Sequence, residues 1–149
     1  MDKEYKRQVN ELNILWHRLM LESNYKDIEA KYQNIKGLST NELSIIRIIS
    51  EKDEIIIKDI LEALDIPKST LTSIIDRLEK RNLISRAISK KDRRSYKLEL
   101  TEDGKTAQDE HIKFEEEIYG KVMISLDNYE EREDFLRLIR KITSNISGK

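Results

Sequence analysis

The sequence predicts a mainly α-helical chain with one small β-hairpin, in which a helix-turn-helix lobe lies between helical arms. Three observations carry that expectation. Apolar residues recur at three- and four-residue steps over nearly all of the 149 positions. Only 4 glycines and 1 proline punctuate the chain, too few for a sandwich or barrel of many short strands. The pattern changes to period two in a single stretch, residues 84–100, on either side of a basic run.

The first element reads as one long helix from about Glu4 into the early thirties, ending before Gly37. Val9, Leu12, Leu15, Trp16, Leu19 and Met20 form its apolar stripe. A second helix opens at Ser39-Thr40-Asn41-Glu42, where hydroxyl and carboxylate can satisfy orphan amides reciprocally. Leu38 and Leu43 are placed for a hydrophobic staple, and Leu43, Ile46 and Ile49 mark the buried face. The β-branched run from Glu54 to Ile57 predicts a short extended piece.

Ile57, Ile60, Leu61 and Leu64 then mark a short helix. Asp65-Ile66-Pro67 interrupts it, because the residue before proline is biased away from helix. Leu71, Ile74, Ile75 and Leu78 begin the pattern again, which makes the pair a helix-turn-helix. Ile84, Arg86 and Ile88 alternate with Ser85 and Ala87, and Tyr96, Leu98 and Leu100 with Lys97 and Glu99. Between them Ser89–Ser95 forms the loop of a hairpin. Thr101, followed by Glu102 and Asp103, starts a helix carrying Ile112, Phe114, Ile118, Tyr119, Val122, Met123 and Leu126, to about Asp127. Asn128 caps a final helix with Phe135, Leu136, Leu138, Ile139 and Ile142.

Composition excludes several functions. With no cysteine there is no disulfide scaffold, thiolate zinc site or thiol nucleophile. No apolar run approaches the length of a membrane span, and the opening residues do not read as a signal peptide, so a cytoplasmic protein with no membrane partner is expected. No catalytic residues are identified: there is no nucleophile elbow, and the glycines at 37, 104, 120 and 148 are too scattered to cradle phosphate. An enzyme is therefore not expected, nor a cofactor. The histidines are His17 and His111. His111 and Glu115 share a helix face, yet a third strong ligand is lacking, and no metal is expected.

Net charge is -1, but its distribution is uneven. From Pro67 to Lys97 ten bases stand against three acids, a net +7 that leaves -8 for the remainder. That asymmetry is a footprint of nucleic-acid binding, although a solvated helix face and a charged loop would produce it equally well. Lys68, Ser69, Thr70, Thr72, Ser73, Asp76, Arg77 and Lys80 lie opposite the apolar face of the second short helix. Short hydroxyls near its N-terminus, at Thr70, Thr72 and Ser73, suit base edges; Arg77 and Lys80 suit phosphates or salt bridges. In the hairpin loop, Lys90, Lys91, Asp92, Arg93 and Arg94 form the second candidate surface, with Arg93 or Arg94 placed for a minor groove.

A helix-turn-helix followed directly by a basic hairpin is a winged helix, and here the sequence resembles the MarR family of bacterial transcription regulators over almost its entire length. Lys68-Ser69-Thr70-Leu71-Thr72-Ser73-Ile74-Ile75-Asp76-Arg77-Leu78-Glu79-Lys80-Arg81-Asn82-Leu83-Ile84 is similar to the family's recognition helix and its exit. Asp92-Arg93-Arg94 and Leu100-Thr101-Glu102-Asp103-Gly104 match its wing. Asn82 stands where the family usually has glycine, and asparagine tolerates the left-handed backbone that a helix exit needs. The resemblance implies a single domain over 1–149. A DNA-binding lobe would cover about 38–100, with dimerisation helices at about 1–36 and 101–149.

It also implies a homodimer on a pseudo-palindromic operator in double-stranded DNA, a repressor released by a small-molecule effector. Asp92 would brace Arg94, and an effector pocket near the dimer interface would draw on Trp16, His17 and Met20. Two rivals remain open: a helical interaction module whose hairpin meets an acidic protein, and a DNA-binding factor with no effector.

Overall fold

The first helix ends sooner than its apolar stripe predicts. In the computed structural model, which describes residues 2–148, α1 runs Lys3–Glu22 and a separate α2 runs Tyr25–Lys31. The break lies at Ser23-Asn24. Asn24 takes a left-handed φ of 55°, which an asparagine tolerates but a helix interior does not. The apolar spacing continues across the break, so periodicity alone reads one helix.

α3 (Thr40–Glu51) opens with the expected capping box: the Ser39 amide donates to Glu42 Oε2 at 2.8 Å and the Glu42 amide to Ser39 Oγ at 3.2 Å. Ile46 and Ile49 are buried as expected, Leu43 is half-buried, and Ile45 joins the core beside them. β1 is only Ile55–Ile56, because Ile57 already begins α4 (Ile57–Ala63) and Asp59 accepts the Ile56 amide at 3.0 Å. After Pro67, α5 (Lys68–Lys80) buries Leu71, Ile74, Ile75 and Leu78. It exits through Asn82, whose φ of 59° returns the Leu83 amide to the Leu78 carbonyl.

β2 (Ile84–Ile88) and β3 (Tyr96–Leu100) form the hairpin, and β1 adds to the far edge of β3. The result is a three-stranded antiparallel sheet of order β1-β3-β2, with Ile84 opposite Leu100, Arg86 opposite Leu98 and Ile88 opposite Tyr96. α6 (Glu102–Ile124) starts at once, with Thr101 Oγ1 accepting the Gly104 amide at 3.0 Å. Gly104 faces the backbone of the α5 exit so closely that a Cβ there would lie 1.9 Å from the Leu83 carbonyl oxygen. α6 stops at Ile124, short of the expected Asp127. Asn128 then caps α7 (Tyr129–Ile146) by accepting the Glu131 amide.

The chain divides into two compact units. One is Lys26–Phe114, with a core of Ile45, Ile46, Ile60, Leu71, Ile75 and Leu98 that Ile28, Ile35, Ala107 and Phe114 extend. Asn34 is tied to Glu110 within it, its amide and side chain donating at 2.9 and 2.8 Å. The other unit takes in the residues up to Tyr25 and from Glu115 onward. Among the described residues α1 and α7 bury no side chain, and Val9, Leu12, Leu15, Trp16, Leu19, Leu138 and Ile142 are exposed. No described helix is long and apolar enough to cross a membrane.

Candidate nucleic-acid interface

With Leu71, Ile74, Ile75 and Leu78 turned inward, helical spacing presents Lys68, Ser69, Thr70, Thr72, Ser73, Arg77 and Lys80 outward, and all seven are exposed. Their freedom differs. The Thr72 hydroxyl donates to the Lys68 carbonyl at 2.9 Å, which commits its proton and leaves its lone pairs and methyl outward. Arg77 is held by its own scaffold: Nε donates to Glu42 Oε1 at 3.1 Å and Nη1 to Ser73 Oγ at 3.1 Å. Glu42 is only 7% exposed, so this bridge ties α5 to the start of α3. Of the two roles open to Arg77, the folded chain provides the salt bridge.

The acids of the basic segment are answered internally. Arg86 donates to Asp76 at 2.6 Å and lies 3.4 Å from Glu79. Lys97 lies between Glu99 at 2.7 Å and Glu54 at 3.6 Å, and its hydrogen bond to Glu99 holds the ammonium above the ordinary lysine range. Lys68, Lys80, Lys90, Lys91, Arg93 and Arg94 keep no acidic partner among the described residues, and all six are exposed. The surplus positive charge is therefore concentrated on α5 and the hairpin loop.

That loop is closed on itself. Ser89 is fully buried; its hydroxyl accepts the amides of Lys91 and Asp92 at 3.2 and 3.1 Å and donates to Glu54 at 3.2 Å. Asp92 Oδ1 accepts the Arg94 amide at 3.0 Å, and the Ser95 amide donates to the Asp92 carbonyl. Asp92 thus reaches Arg94 through its backbone, which leaves the guanidinium outward. Ser89 and Glu54 escape sequence reasoning, since a serine after a strand and an acid 35 residues upstream carry no joint signal.

Trp16, His17 and Met20 are exposed on α1, with the His17 ring Nδ1–H donating to the Asn13 carbonyl at 2.8 Å. They line neither a cleft of about 530 Å³ beside Ile49, Lys52, Leu98 and Lys105 nor the shallow depression between Tyr5 and Asn13. Among the described residues no group of three His, Asp or Glu side chains is placed to hold a metal ion.

The order of these elements has counterparts among known proteins. A profile of the MarR family matches residues 38–96, from the staple before α3 to the first residue of β3. The HTH-type transcriptional repressor MdtR of Bacillus subtilis is 33% identical over 89 residues, 60% of this chain. The matched part spans about half, 54%, of MdtR. The HTH-type transcriptional regulator YwhA of the same organism is 30% identical over 109 residues, 73% of each chain. The chain belongs to the MarR family.

Solved structures agree on the fold. Streptococcus pneumoniae FabT, crystallised in complex with DNA, superposes with a TM-score of 0.71 at 20% identity, covering 97% of this chain and 98% of that one. Bordetella bronchiseptica BpsR, whose DNA binding is regulated by 6-hydroxynicotinic acid, gives 0.59 at 23% identity over 89% and 92%. In this MarR-family chain α5 is the second helix of the helix-turn-helix, and the Ser89–Ser95 loop is the tip of the wing.

Proposed function

We propose that this chain is a sequence-specific regulator of transcription that binds double-stranded DNA as a homodimer, with α5 in the major groove and the wing tip in the adjoining minor groove. One observation carries the reading. The hydroxyl-bearing first half of α5 is outward, and six cations on α5 and the wing have no acid beside them among the described residues. Residues 38–100 act as the DNA-binding lobe. Residues 1–36 and 101–149 form the dimerisation region, whose exposed apolar stripes need a partner. A two-fold dimer presents two copies of α5 to a pseudo-palindromic operator. The chain works in the cytoplasm, without catalysis or a cofactor.

Repression, relieved by a small molecule, is the mode of action. It is supported by the naming of MdtR as a repressor and by the regulation of BpsR by a hydroxylated aromatic acid. Trp16, His17 and Met20 would contribute to that site once a second protomer covers α1. Thermal-shift screening with aromatic acids tests this arm, and no stabilisation by any of them would favour a regulator with no effector.

The docking separates two mutants. Thr72→Ala removes a methyl and an acceptor from the base-facing row, so the gap between operator and random DNA should narrow by about 1–3 kcal/mol. Lys80, at the end of α5, reaches only backbone. Lys80→Ala should weaken both DNAs alike, with a salt dependence shallower by about 0.9 for each phosphate no longer neutralised. Competition binding at two salt concentrations checks both; the reverse pattern would mean that α5 is placed backwards.

In the wing, Arg94→Ala should weaken operator binding about tenfold or more, a charged hydrogen bond being worth about 1.5–3 kcal/mol. Asp92→Ala should do so more mildly, because it only loosens the Arg94 amide. Unchanged affinity of Arg94→Ala at moderate salt would remove the wing from the interface.

A further inference from the structure

The hairpin carries an apolar pair that neither the core nor the proposed readers use. Ile88 and Tyr96 are directly opposite each other across β2 and β3, yet they are 70% and 57% exposed. By the period of two they share a face with Ile84, Leu98 and Arg86, and Arg86 reaches Asp76 and Glu79 on α5. The pair therefore continues the α5-facing side of the sheet. β1 pairs no further along β3 than Lys97, so the hairpin runs on past it as two strands, and its last pair stays exposed. On the loop side it adjoins Lys90, Lys91, Arg93 and Arg94.

We propose that Ile88 and Tyr96 seat on the sugar–phosphate ridge that separates the groove read by α5 from the groove entered by the wing. This inference rests on the proposed docking. A body that places a helix in one groove and a loop tip in the next must cross one strand of the duplex backbone between them, and Ile88 and Tyr96 lie between α5 and the tip. Deoxyribose offers an apolar C–H surface to Ile88. The adjacent phosphate accepts from the Tyr96 hydroxyl, a group that commonly donates to DNA backbone. The surrounding surplus of cations favours a polyanion there over an acid-poor protein face. Such seating fixes register without reading sequence.

The test is a cycle between Tyr96→Phe and a duplex carrying a neutral methylphosphonate at each ridge phosphate in turn. Tyr96→Phe should weaken operator and scrambled duplex alike, by about two- to tenfold, as loss of one hydrogen bond does. The salt dependence should stay unchanged, since no charge is removed. One methylphosphonate position should weaken the wild type and add nothing to Tyr96→Phe, and Ile88→Ser should lower affinity without altering sequence preference. If the wild type binds duplex and Tyr96→Phe binds equally well, the ridge seating is overturned. If Ile88→Ser shifts the sedimentation of the free protein towards monomer, the pair belongs to a second copy of the chain, which also overturns it. If the wild type binds no duplex, the underlying docking fails instead.

Discussion

Gly104→Ala is expected to cost about 3 kcal/mol of stability, the upper end of ordinary overpacking, and to lower Tm by about 10 °C. The cause is a single close approach. An added methyl would sit 1.9 Å from the Leu83 carbonyl oxygen, with Leu100 at 3.3 Å on another side. The obstruction is backbone, so no rotamer relieves it. Either α6 must lift from the α5 exit or that turn must move, and both carry the geometry of α5 with them. Gly120→Ala provides the internal control. It lies in the same helix with nothing within 4 Å of the added Cβ, so alanine should stabilise by about 0.5–1 kcal/mol through backbone entropy. Thermal melts of the two variants check the pair; equal melting points would mean that α6 does not bear on the turn at Leu83.

The combined change Leu138→Glu and Ile142→Glu should separate the protomers and abolish tight operator binding while leaving each protomer folded. Both side chains are about half exposed in the protomer, 48% and 51%, so neither change opens its core. In a two-fold dimer each substitution counts twice. Losing the remaining burial of four half-exposed aliphatic side chains, about half of the 1.5–3 kcal/mol that full burial gives, and setting four carboxylates in their place leaves little of an ordinary interface. Sedimentation should report monomers at micromolar concentration with undiminished helical circular dichroism, and binding to a two-half-site duplex should fall more than a hundredfold. A double variant that stays dimeric would remove α7 from the interface.

How much of the fold is legible in the sequence depends on the range of the interaction. The capping box at Ser39 and Glu42, the inward face of α5 and the left-handed exit at Asn82 are local, and spacing or residue type predicts each of them. The break at Ser23-Asn24 is also local, but the apolar stripe continues past it and hides it. In α3 two isoleucines stand side by side, and periodicity selects Ile46 and passes over Ile45, though both are buried. The site is legible as a surface and not as a network. Arg77 to Glu42, Ser89 to Glu54 and Arg86 to Asp76 join residues 35, 35 and 10 positions apart, and only tertiary packing brings them together. Those bonds decide which cations of the segment remain without an acidic partner among the described residues. Ile88 and Tyr96 show the converse, since alternation marks a buried face that the projecting hairpin leaves uncovered.

The central claim is that outward α5 hydroxyls choose the site while unpaired cations hold the duplex. It is tested most directly by the affinity of the wild-type protein for a duplex selected from a random pool, set against its scrambled counterpart across a salt series. The selected duplex should be preferred by about 10³-fold or more at moderate salt. Both affinities should fall steeply, by about 10³-fold between about 50 and 200 mM salt, as the neutralisation of six or more phosphates per dimer demands. Equal affinity for the two duplexes, or binding that salt leaves unchanged, would contradict the account.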